Sequence, residues 1–360
     1  MKFLVGQSLH TAAGFMAFVL AMKGLDVTKV IFRKKVLVSD FVKVSMLFYI
    51  SIIYTEMMSP ASDYFAMLFL FFVIVTWVEL EEKKEKNIAP YGMLCVLLAV
   101  NITIKLSAAI MVLLVLKPAF LLLKEKQYRQ IALYLGMGIL AVLPYLVRNV
   151  ILSGWLVYPF PALDFFSFDW KIPASEARYD AEEIKVYAKG MTDVLRKDTP
   201  MRGWLPNWFG KLKGLEKVWV LSSLLSVFSG ALLSLWGIMK RKKEIYPYLF
   251  VQWVLIVGYL FWQIGTPLVR YGYIYILAFP FFTVGLLFVV FLGQKDKTYL
   301  LFVAALMIFF GYKGGNLVQS IRDSSHQNYY IWQQDYVTLD YDTYKINGIE
   351  FFIPLQSGQI

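Results

Sequence analysis

The sequence predicts an all-α integral membrane protein of about ten transmembrane helices, with an amphipathic external segment and a small external C-terminal β-hairpin tail. Three observations carry this expectation. Of 360 residues, 59% are hydrophobic and only 17% are charged, a balance foreign to soluble domains. Ten apolar runs recur along the chain, and at about 20 residues per crossing they would use about 200 residues, leaving the rest mainly in two blocks outside the bilayer. Five short basic tracts separate these runs in pairs: Lys29/Arg33/Lys34/Lys35, Lys83/Lys84/Lys86, Lys124/Lys126/Arg129, Lys240/Arg241/Lys242/Lys243 and Lys295/Lys297. The positive-inside rule assigns all five to the cytoplasm, which fixes the parity of the crossings between them.

The runs lie near 4–22, 41–58, 64–80, 91–104, 107–123, 130–147, 218–238, 245–264, 273–292 and 298–311. The first passes into Lys23-Gly24-Leu25-Asp26 without a small-residue cleavage site, so it reads as a membrane helix and not a signal peptide. Residues 91–123 would form a single helix of about 50 Å, although both flanks are basic and belong on one side. Two crossings are therefore required. The outward break is expected within Asn101-Ile102-Thr103-Ile104-Lys105-Leu106-Ser107, the most polar interruption. Parity then places the N-terminus and the C-terminal tail outside, and gathers 59–63, about 101–107, 148–217, 265–272 and 312–360 on the outer side. The expected organisation is 1–147 as N-terminal membrane helices, 148–217 as an external membrane-surface subdomain, 218–311 as C-terminal membrane helices and 312–360 as an external tail.

Within 148–217, Trp155, Tyr158, Phe160, Phe165, Phe166, Phe168 and Trp170 precede Ile184, Tyr187, Met191, Val194 and Leu195 at helical spacing. Such a segment is expected along the membrane surface. Asp180 with Glu183 predicts a capping box, and Trp204, Trp208 and Phe209 a second aromatic cluster at headgroup level. In the tail, Tyr336–Tyr341 alternates, and Asn347-Gly348 stands between Tyr344-Lys345-Ile346 and Ile349-Glu350-Phe351, a hairpin pattern. Gly314-Gly315 gives a weak turn signal.

The net charge of +11 would point towards nucleic acid in a soluble chain, but here much of the excess sits in tracts between apolar runs and is topology signal. No nucleic-acid partner is expected. Cys95 is the only cysteine and His10 and His326 the only histidines, so neither a disulfide nor a metal centre is expected. His10 and Cys95 read as packing. Phosphate-cradling glycine loops and nucleophile motifs are absent, and no cofactor is expected.

Four polar positions on the outer side stand apart. Asp63, in Ser59-Pro60-Ala61-Ser62-Asp63, precedes a helix; it reads equally as a helix cap and as a carboxylate over a membrane cavity that orients an acceptor or moves a proton. Lys105 lies in the break of the longest apolar stretch, where an unpaired ammonium costs about 3 kcal/mol, so it either snorkels, pairs with Asp63 or holds a lipid phosphate. Arg148 ends an outward helix, and Arg270 lies in Thr266-Pro267-Leu268-Val269-Arg270-Tyr271. Alone, each arginine reads first as an interfacial anchor. Three cations and a carboxylate on one face favour an anionic substrate.

Ser59–Leu70 (SPASDYFAMLFL), then Ile102-Thr103-Ile104-Lys105-Leu106-Ser107, then Arg148–Trp155 with Tyr158-Pro159, then Pro267 with Arg270-Tyr271, form an ordered set across about 58–275. This set resembles the bacterial polytopic proteins of the GT-C glycosyltransferase superfamily. The resemblance implies a GT-C-like enzyme of the bacterial cytoplasmic (inner) membrane. Such an enzyme transfers a sugar from a polyprenyl-phosphate donor, on the outer face, to an acceptor glycan, lipid or protein. By the same resemblance Asp63 matches the second acidic position of the superfamily and is the catalytic candidate. Lys105, Arg148, Arg270 and Tyr271 are the substrate-binding candidates, the three cations facing the lipid phosphate. Members begin with a cytoplasmic N-terminus, one helix and a large external loop carrying the principal catalytic acid. This chain enters the membrane at once from outside, so the resemblance also implies a truncated or inactive form. The rival readings are an envelope-polysaccharide polymerase or ligase, a transporter of a lipid-linked substrate, and a non-catalytic partner subunit.

Overall fold

A computed structural model describes residues 2–53, 62–243, 245–292, 297–322, 341–346 and 349–354. The principal helices are α1 (Lys2–Leu25), α2 (Val38–Ile53), α3 (Ser62–Glu82), α4 (Ala89–Ile104), α5 (Leu106–Lys124), α6 (Tyr128–Ser153), α7 (Ala174–Ala188), α8 (Met201–Lys211), α9 (Gly214–Met239), α10 (Tyr246–Gly265), α11 (Val269–Phe291) and α12 (Tyr299–Arg322). Over its described residues every one of the ten apolar runs falls on a helix; of the helices named, α7 and α8 are the two that do not come from such a run. Among the described residues seven helices, α3, α5, α6, α9, α10, α11 and α12, are long and apolar enough to cross a membrane, and α4 is a shorter apolar helix. The chain is therefore an all-α, multi-pass membrane protein, its backbone polar groups satisfied within each helix as hydrocarbon demands.

Two compact units divide the chain, Met1–Phe302 and Val303–Ile360. In the second, β1 (Tyr341–Ile346) pairs antiparallel with β2 (Ile349–Pro354), Ile346 facing Ile349. The connecting Asn347-Gly348, residues 336–340 of the alternating stretch, His326, Lys295 and Ser59-Pro60-Ala61 lie outside the described residues, as does the side chain of His10. Gly314-Gly315 continues α12 and makes no turn. An apolar helix keeps its backbone bonds through such a pair because no water is there to replace them.

The first unit is built around α3 and α11. Phe71 and Trp77 of α3 and Phe279 and Phe282 of α11 are fully buried, and Tyr49 of α2 stacks on Phe71 with ring centroids 5.0 Å apart. α6 lies at the periphery, where Leu133, Ile139, Leu140 and Ile151 are exposed as lipid-facing residues would be. Within α11, Ile274–Ala278 forms a π-helical turn, and Ser223 Oγ of α9 donates to the Tyr275 carbonyl at 3.0 Å. A π turn widens the helix and loosens its carbonyls, so this hydroxyl satisfies a group the wider turn leaves short.

The break in residues 91–123 falls at Lys105, whose backbone is extended (φ −149, ψ 116). Beyond it, Leu106–Val115 is a 3-10 helix of 10 residues, which passes into an ordinary helix over Leu116–Lys124. Its buried residues are Ala108, Met111 and Leu114, the period of three that a 3-10 helix requires.

The basic tracts share a backbone feature, and at Lys84, Lys126 and Arg241 it closes a helix with the same pair of bonds. Lys34, Lys84, Lys126, Arg241 and Lys297 all have positive φ, between 50° and 65°. At the second of these, Lys84 N–H donates to the Glu81 carbonyl at 3.1 Å and Glu85 N–H to Leu80 at 3.0 Å. This is the Schellman pattern, which ordinarily selects glycine. Among the described residues the positive-φ glycines, Gly154 and Gly190, lie elsewhere, at the ends of α6 and α7. A basic residue at the αL position complements the helix dipole and supplies topology charge at a conformational cost. Lys84→Gly is therefore expected to raise stability by about 1 kcal/mol, read as a higher unfolding midpoint in detergent. No change would mean that the αL turn is unstrained.

Residues 148–217 depart from expectation in two ways. α7 begins at Ala174 after Pro173 and ends at Ala188, so Asp180 is not a cap but a mid-helix acceptor for the Tyr158 hydroxyl. Proline fixes the entry about two turns earlier than the Asp180/Glu183 pattern indicates. That bond pushes the Tyr158 phenol up to about 12. Second, Trp204 and Trp208 are buried at 3% and 4% exposure instead of facing headgroups, because Trp208 packs under the segment that carries Arg270 and Trp204 packs against Trp208.

Candidate functional site

Asp63 occupies the first turn of α3, where the helix dipole favours a carboxylate. It is buried, and two cations converge on it from different parts of the chain. Lys105 Nζ, at the break between α4 and α5, lies 2.5 Å from Asp63 Oδ1, and Arg270 Nε, at the start of α11, lies 3.2 Å from Oδ2. Tyr271 completes the group: its ring lies 4.0 Å beneath Lys105 Nζ and its hydroxyl accepts from Arg270 at 3.3 Å. One carboxylate against two cations leaves a net positive site. Arg270, with its side chain 54% exposed, keeps donors free for an incoming anion.

Two tryptophans position Arg270. Trp262 Nε1 donates to the Leu268 carbonyl at 2.9 Å, and Trp208 Nε1 of α8 donates to the Pro267 carbonyl at 2.8 Å. Their rings meet edge to face with centroids 6.1 Å apart. Gly272 lets Trp262 close on α11, since a Cβ there would come within 2.3 Å of the indole. Thr266–Leu268 is thus held from both sides, and the arginine leaves it in a fixed direction.

Beside Arg270 a cavity of about 440 Å³ opens between the end of α7, α8, the start of α9 and the segment before α11. Tyr187, Met191, Trp208, Lys211 and Glu216 line it. A second cavity, of about 580 Å³, shares Gly190, Met191, Thr192 and Lys211 with the first and adds Arg196 and Asn207. Together they form one groove with an aromatic end at Arg270 and a polar end farther along the surface segment, and each lobe is of ligand size.

Arg148 is not part of this cluster. It lies exposed on α6, and no hydrogen bond or ion pair joins it to Asp63, Lys105 or Arg270 among the described residues. Cys95 is a free thiol, half-buried on α4.

A second polar layer sits at the other end of the helices, and sequence reading passes over it. Glu79 bridges Lys23 and Lys43 at 2.7 Å each, Arg33 pairs with Asp40 at 2.5 Å, and Ser39 donates to Glu82 through both N–H and Oγ, at 2.8 and 2.6 Å. Lys117 of α5 pairs with Glu81 and lies 4.8 Å over the Tyr91 ring. Lys43 and Lys117 inside apolar runs were the available signal, since a cation there must find a partner. Among the described residues no group of three or more His, Cys, Asp or Glu could hold a metal ion.

Fold and site together define a multi-pass membrane protein with a buried carboxylate held between two cations at one end of its helices. The chain belongs to the family described as Domain of unknown function (DUF8201), whose model matches residues 1–277 and so contains the whole cluster. No curated protein and no solved structure matches the chain.

Proposed function

We propose that the protein is a membrane glycosyltransferase of GT-C type that takes a sugar from a polyprenyl-phosphate donor on the outer face of the bacterial cytoplasmic membrane. The observation that carries this reading is the convergence of Lys105, Arg270 and Tyr271 on Asp63 beside an open groove. In the proposed reaction the acceptor hydroxyl oxygen bonds to the anomeric carbon as the bond from that carbon to the carrier phosphate oxygen breaks. The electron pair leaves with the phosphate, and the acceptor proton passes to that phosphate or to solvent. Arg270 and Lys105 stabilise the charge that collects on the departing group. Asp63, with both oxygens facing cations, serves as a positioning carboxylate that holds the pair in register until the donor phosphate arrives. Arg148, outside the cluster, serves as an interfacial anchor. In this reading ten crossings, α1, α2 and α4 added to the seven helices long and apolar enough to span, put the basic turns in the cytoplasm and the groove and tail outside.

The test is transfer by the purified protein in nanodiscs, with synthetic polyprenyl-phosphate monosaccharide and oligosaccharide donors. Product from monosaccharide donors supports the reading. Product from oligosaccharide donors alone transfers it to a polymerase or ligase, and carrier flux without any glycosidic bond transfers it to a transporter. Asp63→Asn is expected to retain donor binding while lowering turnover about 100-fold, because a neutral amide no longer orients both cations. Unchanged turnover would remove Asp63 from the site.

A further inference from the structure

Lys105 and Lys117 stand at the two ends of one 3-10 ridge, and each reaches a carboxylate at one end of α3. Lys105 pairs with Asp63 in the first turn, and Lys117 pairs with Glu81 in the last. The spacing does not match by ordinary helix geometry. Asp63 and Glu81 are separated along α3 by about 27 Å, whereas Lys105 to Lys117 as an α-helix would cover only about 18 Å. With Leu106–Val115 as a 3-10 helix the same residues cover about 23 Å. The 106–115 leg packs chiefly against α4 and α10, so the two lysine side chains must also cross to α3 to meet these carboxylates. Runs of 3-10 helix beyond three or four residues are uncommon because their hydrogen bonds are poorer. This one needs an external cause.

We propose that Lys105–Asp63 and Lys117–Glu81 form a two-ended clamp that holds Leu106–Val115 stretched as a 3-10 helix, and that Lys117 and Glu81 act as positioning residues for the site from the far end of the helices. An anion that takes Lys105 from Asp63 releases the leg, which shortens into α-helix by about 5 Å over ten residues. The strain relieved then adds to the anion's affinity, since a ligand gains whatever differential free energy the change of state supplies. The ligand half of this proposal rests on the reading that the site receives a carrier phosphate; the clamp itself does not.

The experiment uses the full chain in nanodiscs with Cys95→Ser and spin labels at Ala109→Cys and Leu123→Cys, a half-buried and an exposed position on the same leg. Relaxation to α-helix shortens this pair by about 3 Å, six residue steps each losing about 0.5 Å. Lys105→Met and Lys117→Met are each expected to show the shortened distance without ligand, and Lys117→Arg the parental one. Lys117→Gln replaces the methionine variant should that one not fold. The charge swap Lys117→Glu with Glu81→Lys is expected to restore the longer distance. In binding, Lys117→Met is expected to weaken affinity for a C55 polyprenyl phosphate by about 5- to 150-fold, with the swap recovering it. A purely structural lysine would lower stability without moving the label distance. Parental distances in both methionine variants would overturn the clamp. Shortened variants with no shortening by the C55 phosphate would leave the clamp standing and overturn the carrier-phosphate reading.

Discussion

Arg270→Ala is expected to cost at least about 100-fold in sugar transfer while the protein keeps its melting temperature within a few degrees. The first part follows from charge: removing one preorganised donor aimed at developing negative charge costs about 100- to 1000-fold. The second follows from exposure. The Arg270 side chain is 54% exposed and its ion pair with Asp63 is 3.2 Å long, the kind of pair that contributes about 0–1 kcal/mol. Lys105 stays on Asp63 in the variant, so no buried carboxylate is left uncompensated. Arg270→Lys is expected to recover little, because a point charge cannot donate two parallel bonds to a phosphate from that position. Arg148→Ala supplies the comparison: exposed and outside the cluster, it is expected to change transfer less than about threefold, within the small effects usual for surface substitutions. Kinetics on all three variants with one donor, beside thermal unfolding in the same detergent, separates the cases. Equal transfer by Arg270→Ala and the parent would take Arg270 out of the site.

The cluster around Asp63 is legible in the sequence for a reason of cost. A lysine in the middle of the longest apolar stretch cannot stand alone in hydrocarbon, and the parity of basic tracts leaves Asp63 and Arg270 on its side. The helices are legible for the same reason, since the runs are defined by transfer free energy and not by local propensity. What is not legible depends on local geometry. Lys117, inside an apolar run, signals that it needs a partner but not that the partner is Glu81, because the sequence does not reveal that 106–115 is a 3-10 helix. Its apolar residues fit an α-helix equally well, and only Lys105, Ala108, Met111, Leu114 and Lys117 at intervals of three hint otherwise. Trp204 and Trp208 show the opposite error. Tryptophan near a membrane helix is ordinarily an interfacial anchor, but an indole N–H facing a backbone carbonyl makes a core residue as readily.

Those indoles explain why the surface segment and the membrane cluster work as one object, and Trp208→Ala puts the point to a test. Trp208 is the contact through which α8 holds Thr266–Leu268: its N–H reaches the Pro267 carbonyl at 2.8 Å and its ring closes on Trp262 and Trp204 at 6.1 and 6.4 Å. Truncation leaves a cavity where a nearly full indole volume stood, and is expected to cost about 3–5 kcal/mol. The same cavity is part of the groove wall beside Arg270, so transfer should fall with stability. Trp208→Phe distinguishes the two contributions. It keeps most of the packing and loses the N–H, for an expected cost of about 1 kcal/mol, yet the freed Pro267 carbonyl no longer fixes the direction in which Arg270 leaves the segment. A displacement of about 1 Å at a positioning group can cost about 100-fold in rate. The phenylalanine variant is therefore expected to melt close to the parent while transferring sugar far more slowly. Parental rates in Trp208→Phe would show that Trp262, through its own bond to the Leu268 carbonyl, suffices to hold the arginine, and would confine Trp208 to packing.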